Sequence, residues 1–201
     1  NYCIDDEWPI PFQGVPKHSW NNSSSTLYGY HNQEAKEENA YVTFCSYTHF
    51  LQISYVHLRL YPTSKLIDSL VVGNKYCLSF WISVPDQWHF MTSNTVGAYF
   101  STEPPLHNTW QYLNVRPQIE NLRTDYPDTT NNWYLVSGSF IADSNYKYIT
   151  IGNFQPDSLT NVKIDFLPPN HSLDFGLYLD AVALYDCTDH SYQAKAGSNR
   201  V

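Results

Sequence analysis

The stretch "KYCLSFWISV" puts Tyr76, Leu78, Phe80, Ile82 and Val84 on one face of an extended chain and alternates them with residues of another character. Side chains of a strand point to opposite faces in turn, so a period of two means a half-buried strand, with one row towards a core. The pattern recurs. "NAYVTFCSY" alternates from Asn39, "YVHLRL" sets Val56, Leu58 and Leu60 against Tyr55, His57 and Arg59, and "TVGAYFS" aligns Val96, Ala98 and Phe100. "WYLVSGSFIA", "KYITIGNF", "NVKIDF" and "FGLYLDAVALY" follow. Turn formers separate them: "VGN" at 72–74, "EPP" at 103–105, "YPDTTNN" at 126–132, "QPDSLTN" at 155–161 and "LPPN" at 167–170. Many short strands with such punctuation predict an all-β sandwich or jelly roll of antiparallel sheets.

Composition agrees. Aromatic residues make up 16% of the chain, with Tyr 17 and Trp 6, and such rings suit a pleated surface. The one helix-like piece, "NQEAKEEN", is long enough for a turn or two. A length of 201 residues fits one domain. Residues 1–38 read as an irregular N-terminal wrap of that domain, 39–187 as the sandwich, and 188–201 as a tail or linker. "YPTSKLIDSL" reads as an insertion between two strands, and the chain begins without an initiator Met or leader, as a processed or excised piece would.

The net charge of -8 and the scattered Lys and Arg argue against a nucleic-acid partner, which needs clustered cations. No apolar run approaches the roughly 20 residues of a membrane-spanning helix. Cys3, Cys45, Cys77 and Cys187 form no zinc-ribbon spacing. They allow three pairings, among which the sequence does not choose, and buried free thiols at Cys77 and Cys187 are an equal alternative. Few Lys and many Tyr, Asn, Ser and Thr suit an extracellular chain.

Taken in order, "GYHNQEAKEENAYVTF", "YVHLRL", "LVVGNKYCLSFWISVPD", "NTVGAYFS", "RPQI", "NNWYLVSGSFIADSNYKYITIGNF" and "LYLDAVALYDC" carry a family likeness. The set resembles the carbohydrate-binding-module-like, galactose-binding-type jelly-roll domain common in surface and secreted proteins of Bacteroidetes. There the domain often precedes an OmpA-like peptidoglycan-binding domain or a type IX secretion sorting domain. The resemblance covers about residues 29–187. It implies a galactose-binding-like jelly roll, a location outside the cell or on the outer-membrane surface, and partners that are glycans or other bacterial surface proteins. Two departures stand out. The opening strand of the type Asn-Gly-Ser-Phe-Glu is missing, and the last strand's usual Asp-Asp-Val reads Asp180-Ala181-Val182. In related modules such acidic residues help hold a structural calcium, and here one carboxylate of the pair remains.

Enzyme signatures are weak. Ser137-Gly138-Ser139 lies mid-strand and is no nucleophile elbow. The eight histidines show no paired metal spacing. A polysaccharide lyase would want Tyr55, His57 and Arg59 together on a concave face, whereas an exposed sheet position is the plainer reading of His57. Asp5, Asp6 and Glu7 read as a solvated loop. Asp180 differs, because a carboxylate inside an apolar strand needs a partner, either a calcium ion or hydrogen bonds at the sheet margin.

Sugar sites join an aromatic platform to planar polar groups. Trp81 and Trp133 belong to strands and read as packing. Trp20, Trp88 and Trp110 lie in the polar stretches "HSWNNSSS", "PDQWHFMTSN" and "LHNTWQYLN". With His89 and Gln111 they are the expected carbohydrate-binding residues, and Asp180 is the expected metal ligand, for a structural calcium. "RPQIEN" offers no physical reason to make Arg116 or Gln118 ligands. In "KYITIGNF", Gly152 marks a bulge or a close backbone approach, and "NNWYLVSGSFIAD" is its expected hairpin partner across "DSNY". The sequence is thus read as a non-catalytic glycan-binding domain. A structural, adhesion or spacer domain without a sugar ligand is the alternative, and an enzyme is third.

Overall fold

The computed structural model describes residues 18–20, 35–37, 40–49, 59–84, 91–93, 95–106, 112–121, 132–164 and 173–188. The strands are β1 (His18–Trp20), β2 (Ala40–His49), β3 (Thr63–Lys65), β4 (Lys75–Ser83), β5 (Met91–Ser93), β6 (Gly97–Ser101), β7 (Ile119–Glu120), β8 (Tyr134–Ile141), β9 (Tyr148–Gly152), β10 (Val162–Ile164) and β11 (Leu173–Asp186). A five-stranded sheet runs β1-β2-β11-β4-β8, and a four-stranded sheet runs β3-β9-β6-β7. β5 and β10 form a two-stranded ribbon. All pairings are antiparallel. The chain alternates between the two large sheets as it proceeds, so sequence neighbours are seldom sheet neighbours. The all-β sandwich of two antiparallel sheets expected from the alternation is what forms.

The alternating rows meet in the middle. Phe44, Leu78, Phe80, Ile82, Val136, Leu177 and Leu179 of the larger sheet pack on Val96, Ala98, Phe100, Ile149 and Ile151, and all are buried. Each large apolar side chain removed from water in this way contributes roughly 1.5–3 kcal/mol. Phe100 and Phe140 bridge the sheets with ring centroids 4.5 Å apart. At the turn after β3, Gly73 takes φ 87°, which the "VGN" signal anticipates.

Three expectations are corrected. β8 and β9 are not a hairpin. β8 pairs with β4 over its whole length, while β9 pairs with β3 and β6 in the opposite sheet. The link is tied to the smaller sheet by Lys147 N–H on the Ser101 carbonyl (2.8 Å), so Val136 faces β9 across the core instead of lying beside it. Second, "YPTSKLIDSL" is not merely an insertion, since Thr63–Lys65 within it forms β3 against β9. A three-residue strand is too short to show a period. Third, Arg59, placed with His57 on the face away from the core, is fully buried. It is enclosed by Tyr47, Tyr112 and the segment after β9, described below. Tyr55 and His57 lie outside the described residues. Of "NQEAKEEN", residues 36–37 form a bend, and within the expected N-terminal wrap His18–Trp20 adds a strand at the edge of the larger sheet.

Candidate functional site

The outer face of the smaller sheet is built around a tyrosine and an arginine. Tyr61 lies flat against Gly152, where an added Cβ would come within 2.8 Å of its Cε1 and nearer still to Cδ1. Its hydroxyl donates to the Asn153 carbonyl (2.5 Å) and accepts from Leu113 N–H (3.0 Å). Burial pushes the Tyr61 phenol above its usual range, so it stays neutral and keeps its proton to donate. Beside it, Arg59 donates from Nη1 to the Gln155 carbonyl (2.6 Å) and from Nη2 to Asp157 Oδ1 (2.6 Å) and Thr160 Oγ1 (3.1 Å). Its guanidinium also lies over the rings of Tyr47 (5.2 Å) and Tyr112 (5.6 Å).

These contacts fix the segment after β9. Asn153 is fully buried, accepts Gln155 N–H at Oδ1 (3.0 Å) and donates from Nδ2 to Thr160 Oγ1 (3.1 Å). A short 3-10 turn at Asp157–Leu159 then closes the loop. Phe154 is wedged between Tyr61 and Tyr99, with ring centroids 5.3 and 6.2 Å away.

A small, open-sided cleft results at the end of the smaller sheet, lined by Thr95, Val96, Gly97, Pro117, Glu120, Asn121, Phe154 and Gln155. Gly97 is needed there, because a Cβ on it would be 2.6 Å from the Ile119 carbonyl oxygen. Asn121 N–H reaches the Val96 carbonyl (3.0 Å) and holds the Glu120-Asn121 wall against β6. A carboxylate residue, two carboxamide residues and the rim of the buried Phe154 therefore line a single opening. These residues escaped the sequence reading, which took Gly152-Asn153-Phe154 as strand interior and left "RPQIEN" unassigned. The available signal was a polar Asn-Phe-Gln run at the exit of an apolar strand. Gln118 is structural: its amide accepts Phe100 N–H (2.8 Å) and donates to the Phe100 carbonyl (3.3 Å) and Tyr146 hydroxyl (3.1 Å), as a strand would.

Of the expected carbohydrate-binding residues, Trp88, His89, Trp110 and Gln111 lie outside the described residues. Trp20 ends β1, its backbone opposite Ala40. Trp81 and Trp133 are half-buried, the first beneath Lys36 Nζ (4.0 Å), the second edge-on to Tyr41 (6.0 Å).

Asp180 sits in β11, between β2 and β4 at the centre of the larger sheet, not at its margin. It lies opposite Trp81, at a bulge where Ala181 takes φ 51°. Its Oδ2 accepts Lys36 N–H (2.7 Å) and Glu37 N–H (3.2 Å), and its Oδ1 accepts Ala181 N–H (2.6 Å). Desolvation nevertheless raises its carboxyl above the usual carboxylate range. The side chain thus pins residues 36–37 across the outer face of the larger sheet. A calcium ion would have to displace these donors, which occupy three of about four lone-pair positions. Among the described residues no group of three His, Cys, Asp or Glu side chains gathers to hold a metal.

The lyase constellation loses its cation, because Arg59 is enclosed by its own partners and presents nothing to a polymer. Cys77 and Cys187 form a disulfide with Cα atoms 5.2 Å apart, while Cys45 is a thiol directed at the Tyr47 carbonyl (3.3 Å).

The class defined so far is a β-sandwich domain with a disulfide and a cleft of mixed aromatic and polar lining. No family model matches the sequence, and no curated protein matches it at a significant level. Among solved structures, the chain is similar to the C-terminal domain of EclA, a sugar-binding protein (13% identity, TM-score 0.41, 87% of this chain and 100% of that one). It is also similar to the K1 and K3 cleaved adhesin domains of Lys-gingipain from Porphyromonas gingivalis W83. The K1 match has 17% identity and a TM-score of 0.40 over 85% of this chain and 89% of that one. The K3 match has 11% identity and a TM-score of 0.42 over 85% and 91%. No helix among the described residues is long and apolar enough to cross a membrane.

Proposed function

We propose that the chain is a non-catalytic glycan-binding domain of a protein on the outside of a bacterial cell. The observation that carries this reading is the cleft. A pyranose offers an apolar C–H face and a ring of hydroxyls, and Glu120, Asn121 and Gln155 beside Pro117 offer polar groups and an apolar edge to meet them. The opening is small and open-sided, so it would take the edge of one sugar unit, the rest of a glycan lying outside it. The scaffold is preorganised, since Arg59 and Tyr61 fix the Gln155 and Asn153 backbones directly and little ordering is left for binding. The Cys77–Cys187 bond supports a compartment outside the reducing cytosol. Trp88, His89, Trp110 and Gln111 remain the proposed loop contacts, and a structural calcium at Asp180 the proposed cofactor.

A glycan array followed by calorimetry tests the reading. We expect a glycan to bind, and Glu120→Ala, Asn121→Ala and Gln155→Ala each to weaken it by about tenfold, roughly the loss of one good hydrogen bond. Affinity lost only with Trp88→Ala or Trp110→Ala would move the site to those loops. No binding to any glycan would overturn the reading and leave a spacer or adhesion domain.

A further inference from the structure

We propose that the cleft selects glycans that carry no acid group, and that Glu120 is the residue that sets this choice. The proposal rests on the glycan-binding reading and narrows it. Glu120 ends β7 at an exposed position, with its backbone paired to Gly97 of β6. In an antiparallel pair the residue directly opposite is the one placed to answer a charge, and a glycine has no side chain to do so. Among the described residues no Lys, Arg or His lines the cleft, and no ion pair takes up the Glu120 carboxylate. The cation that holds the Gln155 carbonyl is already answered, since Arg59 meets Asp157 at 2.6 Å and is itself fully enclosed.

What such a carboxylate binds follows from its chemistry. Ionised, it only accepts hydrogen bonds, so it takes hydroxyl or amide donors, and two adjacent sugar hydroxyls can reach its two oxygens. Those bonds are charge-assisted and stronger than bonds between neutral groups. The carboxylate of a uronic or sialic acid has no proton to donate at neutral pH, and its charge is opposed by Glu120. Gln155 does not offset this. Its backbone N–H and carbonyl are both engaged, at Asn153 Oδ1 and at Arg59, and its carboxamide carries no charge. The wider field has the same sign, because the chain carries a net charge of -8.

Calorimetry on the full 201-residue chain tests the proposal. The probes are the glycan that binds best on the array and the same glycan bearing a uronic acid in place of one neutral unit. We expect the best glycan to lack acid groups, and the uronic form to bind about tenfold more weakly at low salt, from two like charges brought close together. The gap should narrow as salt is raised. Glu120→Gln should close most of it. Glu103→Gln removes one charge from an exposed position just beyond the other end of β6, and should leave it. An acidic glycan as best binder, or a gap that survives Glu120→Gln, would overturn the proposal and leave the glycan-binding reading standing. A gap closed equally by Glu103→Gln would also overturn it, by showing an effect of net charge in place of a site. Absence of binding to every glycan would overturn the reading beneath the proposal, and both would fall.

Discussion

The ring of Tyr61 occupies the space that a side chain on residue 152 would require, so Gly152 and Tyr61 act as one unit. The pair explains why β9 ends in glycine and how the chain before β3 is locked onto the smaller sheet. Gly152→Ala must push back the aromatic ring, whose hydroxyl is held at both Asn153 and Leu113. The expected loss is about 1–3 kcal/mol, the usual cost of overpacking. Urea denaturation checks it, and Gly152→Ala combined with Tyr61→Ala should lose less than the sum of the two single changes.

Arg59 is the hub of the same layer. Breaking a fully buried ion pair from one side costs roughly 3–5 kcal/mol, and Arg59→Met should cost somewhat less, because Asp157 keeps 39% exposure. Arg59→Lys keeps the charge but not the fork that reaches Gln155, Asp157 and Thr160 together, so it should recover only part of the loss. Denaturant midpoints of the two variants decide this. If glycan binding is present, both variants should also weaken it through the displaced Gln155.

How much of this was legible beforehand depends on how local the signal is. β4 is written in its own residues: Tyr76, Leu78, Phe80 and Ile82 alternate, and all are buried. The same holds for Ala98 and Phe100 in β6 and for Ile149 and Ile151 in β9. Sheet membership is not local. Nothing in "SGSFIADSNYKYITIG" distinguishes a hairpin from a crossing between sheets, since both satisfy the same alternation. Arg59 shows a second limit. A cation on the face away from the core reads as solvated, and only the three-dimensional arrival of Asp157, Thr160 and two tyrosine rings removes it from water. The cleft shares that limit, because Glu120, Asn121 and Gln155 come from separate segments.

Reduction of the Cys77–Cys187 bond, or Cys77→Ser with Cys187→Ser, should lower stability by about 2–5 kcal/mol, largely by freeing the unfolded chain. A melting scan with and without reductant reads it. The serine pair should then be insensitive to the reductant.

The pH response at Asp180 has a definite sign. Its folded carboxyl titrates above the ordinary 3.8, so the folded state holds the proton more tightly than the unfolded one. Its contribution is therefore full below the unfolded value and is lost as pH rises through the folded one. Asp180→Asn removes that loss, so the variant should gain on the wild type as pH rises above the unfolded value and through the raised folded one, as read from denaturant midpoints at a series of pH values. A calcium-dependent rise of the wild-type midpoint, reversed by chelator, would instead show that a metal displaces the three N–H donors.

The Cys77–Cys187 bond also has a mechanical meaning. It closes a covalent ring across a sequence separation of 110, and that ring contains β5 to β11 and most of β4. Tension applied to the two ends of the chain bypasses the ring through the sulfur atoms. Only segments outside it can be drawn out, so most of the sandwich cannot be stretched while the bond is intact. A domain of this construction, tethered between a cell and something it holds, would have its extension under load capped at the segments before Cys77 and after Cys187, and reduction would remove the cap.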